Sequence, residues 1–459
     1  MPVSAPVVAS SRTSHLVLLS LDWIRPKDPR TSLGHASLIA RLREVNGLAV
    51  VPLSFAVHED GFDREGVLLA VLASTRADSD FAVGAYVWND AVVRWLLPAL
   101  RRAGFTGRII LGGPQVSYAP AGIDEVYPEA DVFIRGYAED ALAGLFSGPG
   151  VRTGVTRRGA DHSGSPAVVD LASLPSPVLA GVLPPTRFVR WETQRGCVYR
   201  CSFCQHRESG ARLRQNVFAR ERILAEVDAF VRDGVRDIAV LDPIFESNPD
   251  AIDILARFRA ARFPGRLSLQ CRFEGMTSQF LDACEGLDVR LEFGLQTTQR
   301  SEMRAISRMN DLGKVEAAIR ELRRRKIIFE VSLIYGLPTQ TVESFRASIR
   351  WCRALGVDTI KAFPLMLLRG TEMERSRARW ALAESDDVIP VVVESNSFSR
   401  EDWRCMKALA EALEVPVSPT TRGTGGPRGA RLGSLARAGG SASQGMLRAV
   451  RVAAGIAAP

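Results

Sequence analysis

Two stretches of this chain alternate short apolar runs with amphipathic segments, and a break rich in Gly, Pro, Ser and Arg separates them. In the first stretch, runs at 15–21, 47–57, 80–88, 108–113 and 130–136 read as strands, while segments at 33–45, 64–75 and 91–104 keep the period of helices. Strands this apolar, spaced by helices this long, predict a doubly wound α/β domain with a parallel sheet over residues 13–147. Residues 148–186 read as a linker, ordered only in part. Beyond it, a strand-like run from 187 is followed by strands at 237–242, 266–273, 289–296, 327–337 and 359–367, with helices that include 315–326 and 342–356. Six parallel strands in α/β alternation predict a partial (β/α)6 barrel over 187–385. Ser399, three residues before Asp402, reads as the cap of a helix within 394–414, so 386–417 forms a short helical extension. Residues 418–459 hold almost no large apolar side chains and read as a disordered basic tail.

Composition refines this picture. At 459 residues and 46% hydrophobic, the chain has material for two cores. Its net charge is +8, but six arginines lie beyond residue 417, where no Asp or Glu occurs, which leaves +2 for the rest. The basic excess is therefore no argument for nucleic acid. No apolar run reaches the length of a membrane span, and the first residues lack the order of a signal peptide, so a cytoplasmic protein without a membrane partner is expected. Seven cysteines, an odd number with only three clustered, fit a reducing compartment. The scattered Cys271, Cys284, Cys352 and Cys405 read as buried free thiols.

The clustered three, Cys197, Cys201 and Cys204, carry the most specific chemistry. They stand at C-x3-C-x2-C spacing in one loop, and three such thiolates can hold three irons of a [4Fe-4S] cube, with the fourth iron open. Structural zinc sites use four ligands, usually in two separated pairs, and no second pair exists here. His206 would complete a four-ligand site that encloses almost no fold. With the aromatic Phe203 before the third cysteine, the loop resembles that of the radical S-adenosylmethionine (SAM) superfamily.

That resemblance implies a [4Fe-4S] cluster whose open iron chelates SAM and cleaves it to a 5′-deoxyadenosyl radical. It also implies an electron donor such as flavodoxin or ferredoxin. The second strand of the barrel ends in a D-x-x-F-like segment, which offers Asp242 or Glu246 to the SAM amine, although Asp242 serves equally well as a helix cap. The fourth strand ends with Glu292, Gly294 and Gln296, similar to the family's G-x-Q segment. Polar Glu292 and Gln296 in an apolar strand are costly unless partnered. The fifth strand ends in a segment similar to the adenine-lining G-x-I-x-G-L-P pattern, with Ser332 in place of its first glycine and with Gly336 and Pro338 in register.

In the first domain, Gly112 and Gly113 close the fourth strand, and Gly136 and Glu139 follow in a D-x-x-x-x-G-x-x-E segment. Paired glycines at a strand exit admit a flat, bulky ligand. Together with the domain that follows, this resembles the subfamily with an N-terminal cobalamin-binding domain. The D-x-H-x-x-G motif that supplies an axial histidine is absent. His35 reads as a helix residue, and the lower face of a corrin is expected to meet Tyr86, Val87, Trp88 or Asn89.

The resemblance implies a cobalamin-dependent radical SAM methyltransferase acting on an unactivated centre of a small or peptide-like metabolite. A second reading keeps the fold without methyl transfer: aminocarboxypropyl transfer, ring rearrangement or sulfur insertion beside a vestigial cobalamin domain. A third is a binding module that senses cobalamin or redox state.

Overall fold

The computed structural model of the chain describes residues 14–119, 122–148, 150, 152–206 and 216–413. The tail expected over 418–459 lies outside the described residues.

The first sheet has the order β2-β1-β3-β4-β5-β6, formed by β1 (Ser14–Asp22), β2 (Leu48–Ala56), β3 (Ser79–Gly84), β4 (Ile109–Gly112), β5 (Val132–Ile134) and β6 (Val155–Arg157). The first five are parallel, and β6 runs antiparallel to β5. Both faces of the sheet are covered: in β1, Leu16 and Leu18 pack on one face and Val17 and Leu19 on the other. That is why these strands read as unbroken apolar runs. The run at 80–88 ends as a strand at Gly84 because the Asn89 side chain accepts from the Tyr86 amide at 2.7 Å and turns the chain into the helix Asp90–Arg102.

The segment expected to link the two halves supplies β6 and also packs onward. Ala167 meets the helices of the first sheet, while Val169, Leu171, Leu174 and Val178 join the core of the second. That second sheet has the order β14-β13-β12-β11-β10-β7, every neighbour parallel. Its strands are β7 (Phe188–Trp191), β10 (Asp237–Val240), β11 (Arg266–Cys271), β12 (Asp288–Gln296), β13 (Ile328–Tyr335) and β14 (Thr359–Pro364). Strands consecutive in sequence are neighbours in space, the result of repeated strand-helix units. Two short ladders accompany it, β8 (Gln194–Arg195) with β9 (Asn216–Val217) and β15 (Ala383–Glu384) with β16 (Val392–Glu394).

The helix Arg400–Glu411 begins at the expected cap, with reciprocal bonds between Ser399 and Asp402. Cys271, Cys284 and Cys352 are buried, but Cys405 is exposed, because it falls on the solvent side of this helix rather than on the stripe that buries Met406 and Ala410. No described helix is long and apolar enough to cross a membrane.

The two sheets meet through buried polar and apolar contacts. Arg190 pairs with Asp28 at 2.7 Å, with both side chains almost fully buried. Trp88 packs with Met366, Leu368 and Ile389. Two adjoining cavities lie at and beside this junction.

Candidate active site

The cysteine loop leaves β8 and lies over the exits of β10 to β13. It is fastened by Ser202, whose amide donates to Ile306 O at 2.9 Å and whose carbonyl accepts from the Met373 amide at 2.8 Å. From the first half, the Tyr118 hydroxyl donates to Gln205 O, while Gln205 Nε2 donates to Arg369 O at 2.7 Å. All three cysteines line one cavity of about 80 Å³, together with Phe203. Burial pushes the thiols of Cys197 and Cys204 up, with the neighbouring Cys201 a further cause for both and Arg308 opposing it. Amides of Tyr199 and His206 point at Cys197 Sγ (3.5 Å) and Cys204 Sγ (3.4 Å). Among the described residues, no three His, Cys, Asp or Glu side chains meet as the ligands of a single metal ion. Three thiols spread around a cavity suit a bulkier cluster better than zinc.

The structure brings some of the expected SAM residues into this cavity and not others. Glu292, Gly294, Gln296 and Ser332 line it. Gln296 is 4% exposed, holds φ +68°, and its Oε1 has no hydrogen-bond partner among the described residues. Asp242 is elsewhere. Its fully buried carboxylate accepts from Thr193 N (2.7 Å), Gln194 N (3.3 Å) and the Thr193 hydroxyl, so it fastens the end of β7 instead of capping a helix. Burial pushes its pKa up to about 7 against those hydrogen bonds. Glu246 accepts from Arg272 N at 2.7 Å behind the cavity wall, and burial raises it likewise to about 7. Gly336 and Pro338 do not line the cavity. The Gly336 and Leu337 amides donate to Gln340 Oε1, which shapes the turn after β13.

Sequence reasoning missed Arg308. Its Nη2 donates to Gly294 O, its Nη1 lies 3.5 Å from Cys201 Sγ, and its Nε has no partner among the described residues. It lies in a loop with no motif of its own. An orphaned acceptor on Gln296 and an orphaned donor on Arg308, facing one cavity, fit a ligand with both a donor and an acceptor, as the amino acid end of SAM has.

The larger cavity, about 240 Å³, opens between the two halves. It runs from the strand exits at Gly84, Gly112 and Ile134 down to mid-strand Leu18, Ala82 and Ile110. Of the expected cobalamin residues, Tyr86, Gly112, Gly113, Gly136 and Glu139 line it. Trp88 does not. It stacks behind Tyr86 at 4.6 Å and donates Nε1 to Leu21 O at 3.0 Å. Two of the glycines have a structural reason apart from any ligand. At Gly113 (φ +88°) a Cβ would lie 2.6 Å from Ala85 O, and at Gly136 (φ +92°) it would lie 2.3 Å from Ala167 O. Gly112 has only ordinary contact, 3.6 Å from Ile134 O, and leaves room at the cavity wall.

The Glu139 carboxylate is already engaged. It accepts from Arg195 Nη1 at 2.7 Å and from Ser37 Oγ at 3.2 Å, and Arg195 also pairs with Glu192 at 2.6 Å. Burial raises the Glu139 carboxyl, but Arg195 outweighs it and holds the group below its ordinary range. His35 also lines this cavity, a placement that no motif around it indicates. The two cavities share His206 and Pro243 as wall residues.

Residues 191–352 match the model of the radical SAM superfamily. The chain is 28% identical over 301 residues to the cobalamin-dependent radical SAM methyltransferase TokK of Streptomyces tokunonensis, covering 58% of this chain and 44% of that one. It is 25% identical over 417 residues to the 2-(S-pantetheinyl)-carbapenam-3-carboxylate methyltransferase of Streptantibioticus cattleyicolor, covering 79% and 60%. The chain thus spans about half the length of the curated relatives it matches. Among solved structures, the radical SAM methyltransferase TsrM from Kitasatospora setae, with cobalamin and a [4Fe-4S] cluster bound, superposes with a TM-score of 0.68 at 18% identity, over 90% of this chain and 92% of that one. The cobalamin-dependent radical enzyme OxsB gives 0.58 at 16% identity, over 74% and 52%. These likenesses concern the fold.

Proposed function

We propose that this chain, a radical SAM protein, is a cobalamin-dependent radical SAM methyltransferase of the subfamily with an N-terminal cobalamin-binding domain. Its substrate is a small or peptide-like metabolite, methylated at an unactivated centre. On this reading, residues 13–147 form a Rossmann-like cobalamin domain, and residues 187–385 form a partial (β/α)6 barrel. The observation that carries the proposal is the shared wall: His206 and Pro243 face both the cysteine-lined cavity and the interdomain one. Methyl transfer to an inert centre needs a radical generator and a methyl carrier on either side of one substrate, and two adjoining cavities supply that arrangement.

When bound, SAM on a reduced [4Fe-4S] cluster supplies a 5′-deoxyadenosyl radical, and methylated cobalamin supplies the methyl group. The protein's part is placement. Cys197, Cys201 and Cys204 would hold three irons of the cluster. Gln296 Oε1, an acceptor, and Arg308 Nε, a donor, would hold the ammonium and carboxylate of SAM, and Glu292, Gly294 and Ser332 line the same cavity. Arg195, two residues before the first cysteine, ties the cysteine loop to Glu139 of the other cavity. Leu18, Leu33, Leu38 and Ile110 give the interdomain cavity an apolar wall that would limit water there.

Anaerobic reconstitution with iron, sulfide, cobalamin, SAM and a flavodoxin or chemical reductant tests this. Formation of S-adenosylhomocysteine that requires cobalamin, together with 5′-deoxyadenosine, supports methyl transfer. Methylthioadenosine, formed whether or not cobalamin is present, would move the assignment to aminocarboxypropyl transfer.

A further inference from the structure

His35 stands in the first turn of the helix Leu33–Leu42, on the wall of the interdomain cavity, among Leu18, Leu33 and Leu38. It is 3% exposed, and its Nε2 has no hydrogen-bond partner among the described residues. Burial pushes its pKa down to about 4, so the ring is neutral at pH 7 and carries one donor and one acceptor nitrogen. A buried polar nitrogen left unpaired is costly, and an apolar side chain of similar size would fill this position without that cost. The other buried imidazole of the first sheet illustrates the usual solution: His15 Nδ1 is satisfied by Ser79 Oγ at 2.7 Å. His35 has the burial without the partner, and it stands on the wall of the cavity.

We propose that His35 anchors the corrinoid of the interdomain cavity through a hydrogen bond from Nε2 to a polar group of its periphery or nucleotide tail, not through a bond to cobalt. This rests on the cobalamin reading above. The choice between the two modes follows from the ring's surroundings. A metal-bound histidine is held by a carboxylate, carbonyl or water on its other nitrogen, which fixes the tautomer and raises its basicity. The nearby carboxylate, Glu139, is engaged by Arg195 and Ser37, and no carboxylate or carbonyl bonds to His35 among the described residues. A ring without that support is a poor axial ligand but a sufficient hydrogen-bonding group.

The test uses full-length protein and two variants, His35→Leu and His35→Gln, titrated with hydroxocobalamin and followed by absorbance, with the apo melting temperature measured for each. Wild type should bind, His35→Leu should bind about tenfold more weakly, and His35→Gln should fall between them because its amide can replace the bond. Apo His35→Leu should melt no lower than wild type, since it loses an unpaired nitrogen and no contact. Electron paramagnetic resonance of bound cob(II)alamin should lack splitting from a protein nitrogen. Equal affinity across the three proteins overturns the anchor and leaves the cobalamin reading intact. Nitrogen splitting present in wild type and absent in His35→Leu overturns the hydrogen bond in favour of a cobalt ligand. A wild-type protein that binds no cobalamin removes the reading itself.

Discussion

Arg195 reaches across the interface to Glu139, its Nη1 2.7 Å from the carboxylate Oε1, with both side chains 7% exposed. The arginine lies two residues before Cys197, and the glutamate lines the interdomain cavity, so one ion pair joins the cluster loop to the wall of the other site.

Removing the arginine leaves two buried carboxylates, Glu139 and Glu192, without their counter-charge. Arg195→Ala should lower stability by about 3–5 kcal/mol in denaturant unfolding. Glu139→Gln, which keeps hydrogen-bonding capacity, should cost less. Because the Glu139 pKa is depressed in the fold, its contribution is present above the ordinary carboxylate range and is lost as pH falls through the folded value. The acid-side loss of stability should therefore shrink in Glu139→Gln, and an unchanged profile would count against the pair.

Asp242 predicts the opposite slope. Its pKa rises to about 7 on folding, so the native state holds a proton that the unfolded chain has released between about pH 4 and 7. Stability is full below the unfolded pKa and falls, by at most about 1.4 kcal/mol per pH unit, as pH rises toward 7. Asp242→Asn should flatten that slope and gain on wild type above pH 7. Melting temperatures at pH 5 and pH 8 would decide it.

The cluster assignment makes a stoichiometric claim. Reconstituted wild type should hold about four irons and four sulfides per chain, and Cys201→Ala should lose them together with SAM cleavage. His206→Ala should retain its iron. Full iron loss in that variant would bring back a four-ligand site.

Gln296 is held at φ +68°, a conformation that costs a non-glycine residue about 1–2 kcal/mol, with its Oε1 unpartnered among the described residues. Gln296→Gly should therefore leave apo stability near wild type while weakening SAM binding several-fold, as read by equilibrium dialysis on cluster-loaded protein. A large stability loss with unchanged SAM affinity would assign Gln296 to packing.

The paired glycines should separate. Gly113→Ala drives a methyl group to 2.6 Å from Ala85 O at positive φ and should destabilise the fold by about 1–3 kcal/mol with or without ligand. Gly112→Ala meets only a 3.6 Å contact and should leave apo stability near wild type. Matching thermal losses in the two variants would refute the distinction.

What was legible in the sequence followed from periodicity and local spacing. Both strand-helix successions, the cysteine loop and the Ser399 cap stand within a few residues of where the patterns placed them. Less legible were features set by contacts between distant segments. The engagement of Asp242 with Thr193 spans 49 residues, and Arg308 reaches Cys201 across 107. The short strand Val155–Arg157 lies in a stretch whose Gly and Ser content masks any period, and it pairs only because β5 offers a free edge. Trp88 stands in the loop after the third strand, where the lower face of a corrin is expected, but its indole is drawn back to Leu21 O.

The ion pair between Arg195 and Glu139 has a bearing on recombination. A foreign N-terminal half spliced onto this second half would enclose Arg195 with Glu192 alone unless it brought its own acid to the place of Glu139. The two halves are therefore not interchangeable parts. A chimera built at the connector should be chosen by whether that acid is present before any similarity of ligand or substrate is considered.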